Sequence, residues 1–418
     1  MLNTFRAGRF GGRGLAGLVA PWAVAAAVGL VVAPIARAQP EGDAGGGVTA
    51  REVAPLDALL ERVLAQHDVP ALGAAVVDSN GLVAIGAVGV RARGSDEAAA
   101  SDDLWHIGSN TKAMTATLCA LLVERGDLRW DTTLAEAFPD LADGMDEGYR
   151  HTTLGHLCTN RGGCPTSLDE GGLWGRLWRH DGTPTEARRL LLEDLTSRPP
   201  AAEPGTTFIY SNAGFAIAGH ICETVTGTPY EALIRDMLFE PLGMESVGFG
   251  APGTPGEIDQ PRGHDRRGRT QHPTEDGRGA DNPPAITPAG RVHLSLEDWA
   301  RYVRVQLGGA RGEAQRIGEV TLSPETLHRI FTPPDAGDGQ GSNPYAMGWM
   351  RVERPWAGPA GDRWAYTHNG SNTMWFSVAW IAPARDFAVI VCCNQGEGGG
   401  AATDAAAAAI IREFVVGR

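Results

Sequence analysis

Two β-rich runs, 72–77 and 82–90, lie near the start of the chain, and three more, 364–368, 375–382 and 387–393, lie near its end. Between them, from about 128 to 285, the pattern turns to helices and long loops. A strand satisfies its backbone polar groups only by pairing, so the two ends are expected to meet in one sheet. The fold class this implies is α+β: an antiparallel sheet from N- and C-terminal strands, flanked by terminal helices, with an inserted, mainly helical subdomain on the other face. Asn80-Gly81 between the first two runs is a hairpin signal, and 383–386 forms a turn between the last two. The terminal helices are 53–66, with Leu56, Leu59, Leu60, Val63 and Leu64 on one side, and the Ala-rich 404–416. Within the insertion, 152–158, 185–195, 213–226 and 230–239 read as helices. Residues 262–284 are polar and rich in Gly, Arg, Asp and Pro, and are expected to form an exposed loop, a lid or a surface insertion.

Residues 1–38 hold four arginines and no acid, an apolar run over 15–33, and Ala36-Arg37-Ala38. This is the pattern of a secretory signal cut after Ala38, with an uncleaved anchor as the alternative. An exported protein, periplasmic or secreted, follows. Residues 39–52 then read as a flexible, Gly-rich leader, and 53–418 as the folded domain. Without the signal the formal charge goes from −14 to −18, which argues against nucleic acid or an anionic membrane surface as partner. No later run is long and apolar enough to span a bilayer. The sequence leaves the oligomeric state open, with a monomer as the default.

The chemistry concentrates in 105–127, WHIGSNTKAMTATLCALLVERGD. Lys112 is the only lysine among 36 basic residues. A cation needed for charge alone could have been arginine here as elsewhere, but only an amine can give up its proton once buried. Ser109 lies one helical turn earlier on the same face, which sets a hydroxyl beside a base. The run 113–123 is apolar nearly all round and reads as a buried helix, with Ser109 at its N-terminus. A serine there can also be a simple cap, so the remaining motifs have to decide.

Tyr210-Ser211-Asn212 offers a phenol and an amide just before a helix. Near a lysine the phenol could act as base or proton relay, and Asn212 could bind the lysine or a substrate amide; the plainer alternative is a strand end and a helix cap. His368-Asn369-Gly370-Ser371 ends a strand, where glycine admits close approach to the backbone and His368 could supply a titratable cation; otherwise it is a turn with a surface histidine.

Together the motifs Ser109-x-x-Lys112, Tyr210-x-Asn212 and His368-x-Gly370, about 100 and then 158 residues apart, resemble the serine β-lactamase and penicillin-binding superfamily, in particular its class C branch. That branch includes β-lactamases, DD-peptidases, esterases, D-amino-acid-specific peptidases and amide hydrolases. Residues 152–164, 203–205, 287–307 and 345–349 also look like the family. The resemblance implies that Ser109 is acylated, that Lys112 is its proton acceptor or electrostatic partner, and that Tyr210 is base or relay. It further implies that Asn212 holds the substrate amide and that the backbone N–H groups of Ser109 and Ser371 form the oxyanion hole. Gly370 belongs to the same strand-end motif, and His368 stands where many β-lactamases have lysine.

Two departures follow. Asn369 fills a position usually held by threonine or serine, and Cys158-Thr159-Asn160-Arg161-Gly162-Gly163 replaces the more usual Leu-Thr-His-Thr-Ser-Gly, so a histidine is missing. With a histidine at 368, carboxylate anchoring should be weak. The expectation is therefore an exported serine hydrolase that cleaves amides or esters of small or D-amino-acid type: a D-Ala-D-Ala carboxypeptidase, D-aminopeptidase or esterase. A class C-like β-lactamase is the alternative, and a non-catalytic penicillin-binding or scaffold protein is the alternative of another kind. The partner is then a small-molecule or peptide substrate. No cofactor and no metal are expected: His-Glu-x-x-His, Cys-x-x-Cys and Gly-x-Ser-x-Gly do not occur. Of the six cysteines, Cys158 and Cys164 are the candidate disulfide, and Cys392 and Cys393 should point to opposite faces of a strand. Trp174, Trp178 and Trp375 could line a cleft, with core packing as the default.

Overall fold

The computed structural model describes residues 52–274, 279–334 and 344–417. The expected signal and all of the leader except residue 52 lie outside the described residues. Strands β1 (Ala71–Asp78) and β2 (Gly81–Gly89) form the first hairpin, and β3 (Met350–Glu353), β4 (Trp364–Ser371), β5 (Phe376–Ala382) and β6 (Phe387–Cys393) an antiparallel meander. The two join where β6 pairs antiparallel with β1, from Ala388 opposite Val77 to Cys393 opposite Leu72. The order is β2-β1-β6-β5-β4-β3, with the two-residue strand Ala54–Pro55 added parallel to β2 at the edge. The ends of the chain do share a sheet, as the sequence requires.

The pleat sorts side chains into two cores. Leu72, Ala74, Val76, Val389, Val391 and Cys393 pack under α1 (Asp57–Leu64) and the C-terminal helix Gly399–Ile411. Their neighbours Ala71, Ala75, Ala388, Ile390 and Cys392 face the opposite way, toward α2 (Thr111–Arg125) and the helical middle. Cys392 and Cys393 therefore point to opposite faces. Helix α2 is buried from Thr111 to Leu122 and ends at Gly126, whose φ of 82° closes it in a left-handed turn. In the middle, α3 (Pro184–Thr196) and α4 (Asn212–Thr226) match expected helices. A small sheet appears that periodicity did not signal: Leu104–His106 pairs with Val292–Ser295. The strand that leads into the Ser109 turn is thus held by the segment that returns from the insertion.

Two expectations need correction. Cys158 and Cys164 are not bridged; all six cysteines are free and buried. Cys158 ends the short helix Leu154–Cys158 facing Cys119, whose Sγ is 3.5 Å from that of Cys222, while Cys164 lies against Tyr149. The stretch 262–284 is also not a plain exposed loop. Arg262 and His264 are fully buried, Gly263–His264 pairs with Thr270–Gln271, and Asp281 is buried. The Arg262 guanidinium donates to the carbonyls of Pro252, Thr254 and Glu257, which anchors the loop from inside. Residues 275–278 lie outside the described residues.

The two hairpins are also tied at their turns. Asp386, between β5 and β6, accepts the backbone N–H of Ser79 at 3.0 Å and its hydroxyl at 2.6 Å, and pairs with Arg311 at 2.6 Å. Its φ of 47° is one that asparagine and aspartate tolerate better than alanine. Asp386→Ala is expected to lower stability by about 1–3 kcal/mol, read as a shift of the urea midpoint at constant slope; an unmoved midpoint would show that the turn contact is dispensable.

Candidate active site

Ser109 sits in the turn Gly108–Asn110 that leads from the strand Leu104–His106 into α2. This turn presses directly on the end of β4. A Cβ on Gly108 would lie 2.3 Å from the Ser371 nitrogen, and one on Gly370 would lie 1.9 Å from the Ile107 carbonyl oxygen. Only glycine at both positions lets the two backbones close, and the φ of 50° at Gly108 is itself a glycine conformation. The Asn110 amide donates to Ser377 Oγ at 2.8 Å and the Ser377 hydroxyl to the Ile107 carbonyl at 2.8 Å, which pins the turn to β5.

One turn on, Lys112 is fully buried. Its Nζ lies 3.0 Å from Ser109 Oγ, 2.7 Å from Asn212 Oδ1 and 2.7 Å from the Ala289 carbonyl oxygen. None of these partners is charged, and burial pushes the amine well below its ordinary value. Asn212 opens α4, but its side chain reaches Lys112 and does not cap the helix. The carbonyl of Ala289 comes from the segment 287–307, whose likeness to the family was legible but whose contact with the lysine was not.

Tyr210 forms part of the cleft wall. Its ring is partly exposed, 4.8 Å from Lys112 Nζ at the centroid, while the enclosed hydroxyl is held up by burial, opposed by a hydrogen bond with Ser109. Asn160 fixes this segment from behind: its side-chain oxygen accepts the Ser211 N–H at 3.0 Å and its backbone oxygen the Ile209 N–H at 2.8 Å. With a φ of 56°, asparagine suits this place in the loop that lacks the family's usual histidine.

His368 is buried rather than a surface residue. Its Nδ1–H donates to the Asn369 carbonyl at 2.6 Å, and Nε2 accepts from the Tyr345 hydroxyl at 3.2 Å. Burial pushes the imidazole down to about 3, so at neutral pH it carries no charge. Tyr345 packs edge-on against Tyr210 with centroids 6.2 Å apart; it was marked only as part of a family-like stretch, since a tyrosine carries no spacing signal. Ser371 commits its hydroxyl to the Trp375 carbonyl, at 2.7 Å. Trp375 is core, stacked on His106, and Trp174 and Trp178 form a partly exposed edge-on pair.

Sequence reasoning did not single out a buried cluster beneath the turn. The Asp281 carboxylate lies 3.1 Å from His106 Nε2, 3.2 Å from Arg291 Nε and 3.0 Å from Asn372 Nδ2. Burial opposes its ionisation, but these donors outweigh it and hold the carboxyl at about 2.

Known proteins share this arrangement of chain. The family model described as Beta-lactamase matches residues 56–413. Penicillin-binding protein 4 of Amycolatopsis lactamdurans is 26% identical over 340 residues, 79% of this chain and 82% of that protein. Esterase EstB of Burkholderia gladioli is 30% identical over 203 residues, 47% of this chain and about half (51%) of that protein. Among solved structures, the D-alanine carboxypeptidase AmpC of Burkholderia cenocepacia superposes with a TM-score of 0.62 at 19% identity, covering 84% of this chain and 96% of that one. With the family matched over most of its length and a buried Ser-Lys pair at its centre, this chain belongs to the beta-lactamase family of serine hydrolases.

Proposed function

We propose that the chain cleaves esters or amides through an acyl-enzyme on Ser109, and that its preferred substrates carry no carboxylate beside the scissile bond. The observation that carries the reading is the set of partners of Lys112. A neutral amine has two hydrogens and one lone pair; the two carbonyls at 2.7 Å take the hydrogens, which leaves the lone pair for the Ser109 hydroxyl at 3.0 Å. Lys112 is then a general base without further rearrangement. It takes the serine proton as Oγ attacks the carbonyl carbon, and the oxyanion falls to the N–H groups of Ser109 and Ser371. Tyr210, which burial keeps protonated, relays a proton to the leaving group and does not act as a phenolate. Water then attacks the acyl-enzyme by the same route in reverse.

The substrate preference rests on His368. A cation there would anchor a carboxylate, but this imidazole is neutral and both its nitrogens are engaged. That favours an esterase or amidase over an efficient β-lactamase or carboxypeptidase, and the esterase among the relatives supports the same direction. The reading of residues 1–38 as an export signal supports an activity outside the cytoplasm; among the described residues no helix is long and apolar enough to cross a membrane.

Intact-mass spectrometry after brief exposure to p-nitrophenyl acetate should show one acetyl group on Ser109, absent from Ser109→Ala; an unmodified wild type would overturn the acyl-enzyme. The pH profile gives the second check. Protonating Lys112 removes the base, so kcat/KM falls with falling pH, and because burial depresses the amine the limb must lie well below 10.5. Lys112→Arg, which cannot deprotonate, should lose about 10³-fold or more of kcat/KM. A limb near the ordinary lysine value would refute the neutral amine. Third, His368→Lys should shift the ratio of benzylpenicillin to neutral-ester kcat/KM upward by about 10-fold; an unchanged ratio would sink the charge argument for specificity.

A further inference from the structure

Asp281 touches both walls of the cleft without reaching it. Its side chain is fully enclosed, and His106 Nε2 lies 3.1 Å from each carboxylate oxygen. The other nitrogen of that ring, Nδ1, accepts the backbone N–H of Gly108 at 3.1 Å. With Nδ1 taken by Gly108, the ring turns its Nε2 side to Asp281 and transmits the position of that carboxylate to the residue immediately before Ser109. Trp375 stacks on the ring at 5.5 Å and stops it from turning.

On the opposite wall Asn372 follows Ser371. Its amide donates to Asp281 at 3.0 Å, and its side-chain oxygen accepts the N–H groups of Met374 and Trp375, each at 3.1 Å. This closes a turn in which Thr373 is held at a φ of 76°, a conformation that a β-branched residue adopts only when its surroundings impose it. Arg291 offsets the charge of Asp281 at 3.2 Å, so no uncompensated negative charge faces an oxyanion forming above. A buried ionic cluster is a poor way to gain stability, since apolar residues of equal volume usually do as well or better. What it does supply is direction: one rigid carboxylate with donors aimed at it from both walls.

We infer that Asp281 and His106 are positioning residues that set the separation of the Ser109 and Ser371 N–H groups, through Gly108 on one side and Asn372 on the other. The inference rests on the acyl-enzyme reading above. Oxyanion donors work only at about 2.7–3.1 Å from the oxyanion, and a shift on the order of 1 Å can cost about 10²-fold.

The test measures the acylation rate constant with p-nitrophenyl acetate and the inhibition constant of phenylboronic acid, whose serine adduct is a tetrahedral anion. Asp281→Asn and His106→Ala are expected to lose about 10²-fold in both. His106→Asn, whose side-chain oxygen can replace Nδ1 as acceptor for Gly108, should recover most of the loss. A purely structural role would lower the melting temperature of all three but leave acylation by the folded fraction at the wild-type rate, and that result overturns the inference. Should Asp281→Asn not fold, Asn372→Ala leaves the carboxylate with His106 and Arg291 and carries the same expectation of slower acylation; a wild-type rate in it is equally fatal. Failure of the acyl-enzyme reading looks different, because then the wild type itself forms no adduct.

Discussion

The structure depends on the contact between two short backbone segments, Ile107-Gly108 and Gly370-Ser371. They approach so closely that neither glycine could carry a side chain. The strand-end motif, the Ser109 turn and the small sheet that supports it are all arranged so that this contact can form. The sheet brings the C-terminal β4 beside β5, β5 holds Asn110 through Ser377, and the returning segment 292–295 holds the strand before Ser109. The long helical middle is the chain's way of leaving this junction and coming back to it with Tyr210, Asn212 and Ala289.

Electrostatics at the site follow one rule: burial favours the uncharged form of each titratable group. Lys112 has only carbonyls and a hydroxyl for partners, His368 is pushed down to about 3, and Tyr210 is pushed up. The charges are kept one layer below, where Asp281 meets Arg291 and His106. Comparable enclosed networks lie farther off, such as Arg188 between Glu223 and Glu231, fully buried and bidentate to both; these tie helices of the middle together.

Much of this was legible in the chain. The α+β class and the meeting of its ends follow from where the β-rich runs fall, because unpaired strands cannot be buried. The Ser109–Lys112 pair was legible because a helix puts residues three apart on one face, and because a single lysine in an arginine-rich chain implies a need for an amine. The 262–284 stretch was misread for an equally physical reason. Composition records polarity, and Arg262, His264 and Asp281 are polar, but each is satisfied inside, with partners up to 175 residues away in sequence. The Cys158–Cys164 bridge was misread because spacing says nothing of which way a helix end turns its thiol.

The sequence alone therefore determined the fold class and the pairing of Ser109 with Lys112, since these rest on local periodicity and on residue chemistry. Tertiary structure decided the surroundings of each titratable group in the site. Whether His368 is a cation, whether Tyr210 is a phenolate, and which groups steady the oxyanion donors all depend on burial and on hydrogen-bond partners far apart in the chain. Those are properties of a three-dimensional dielectric environment, and no order of residues states them.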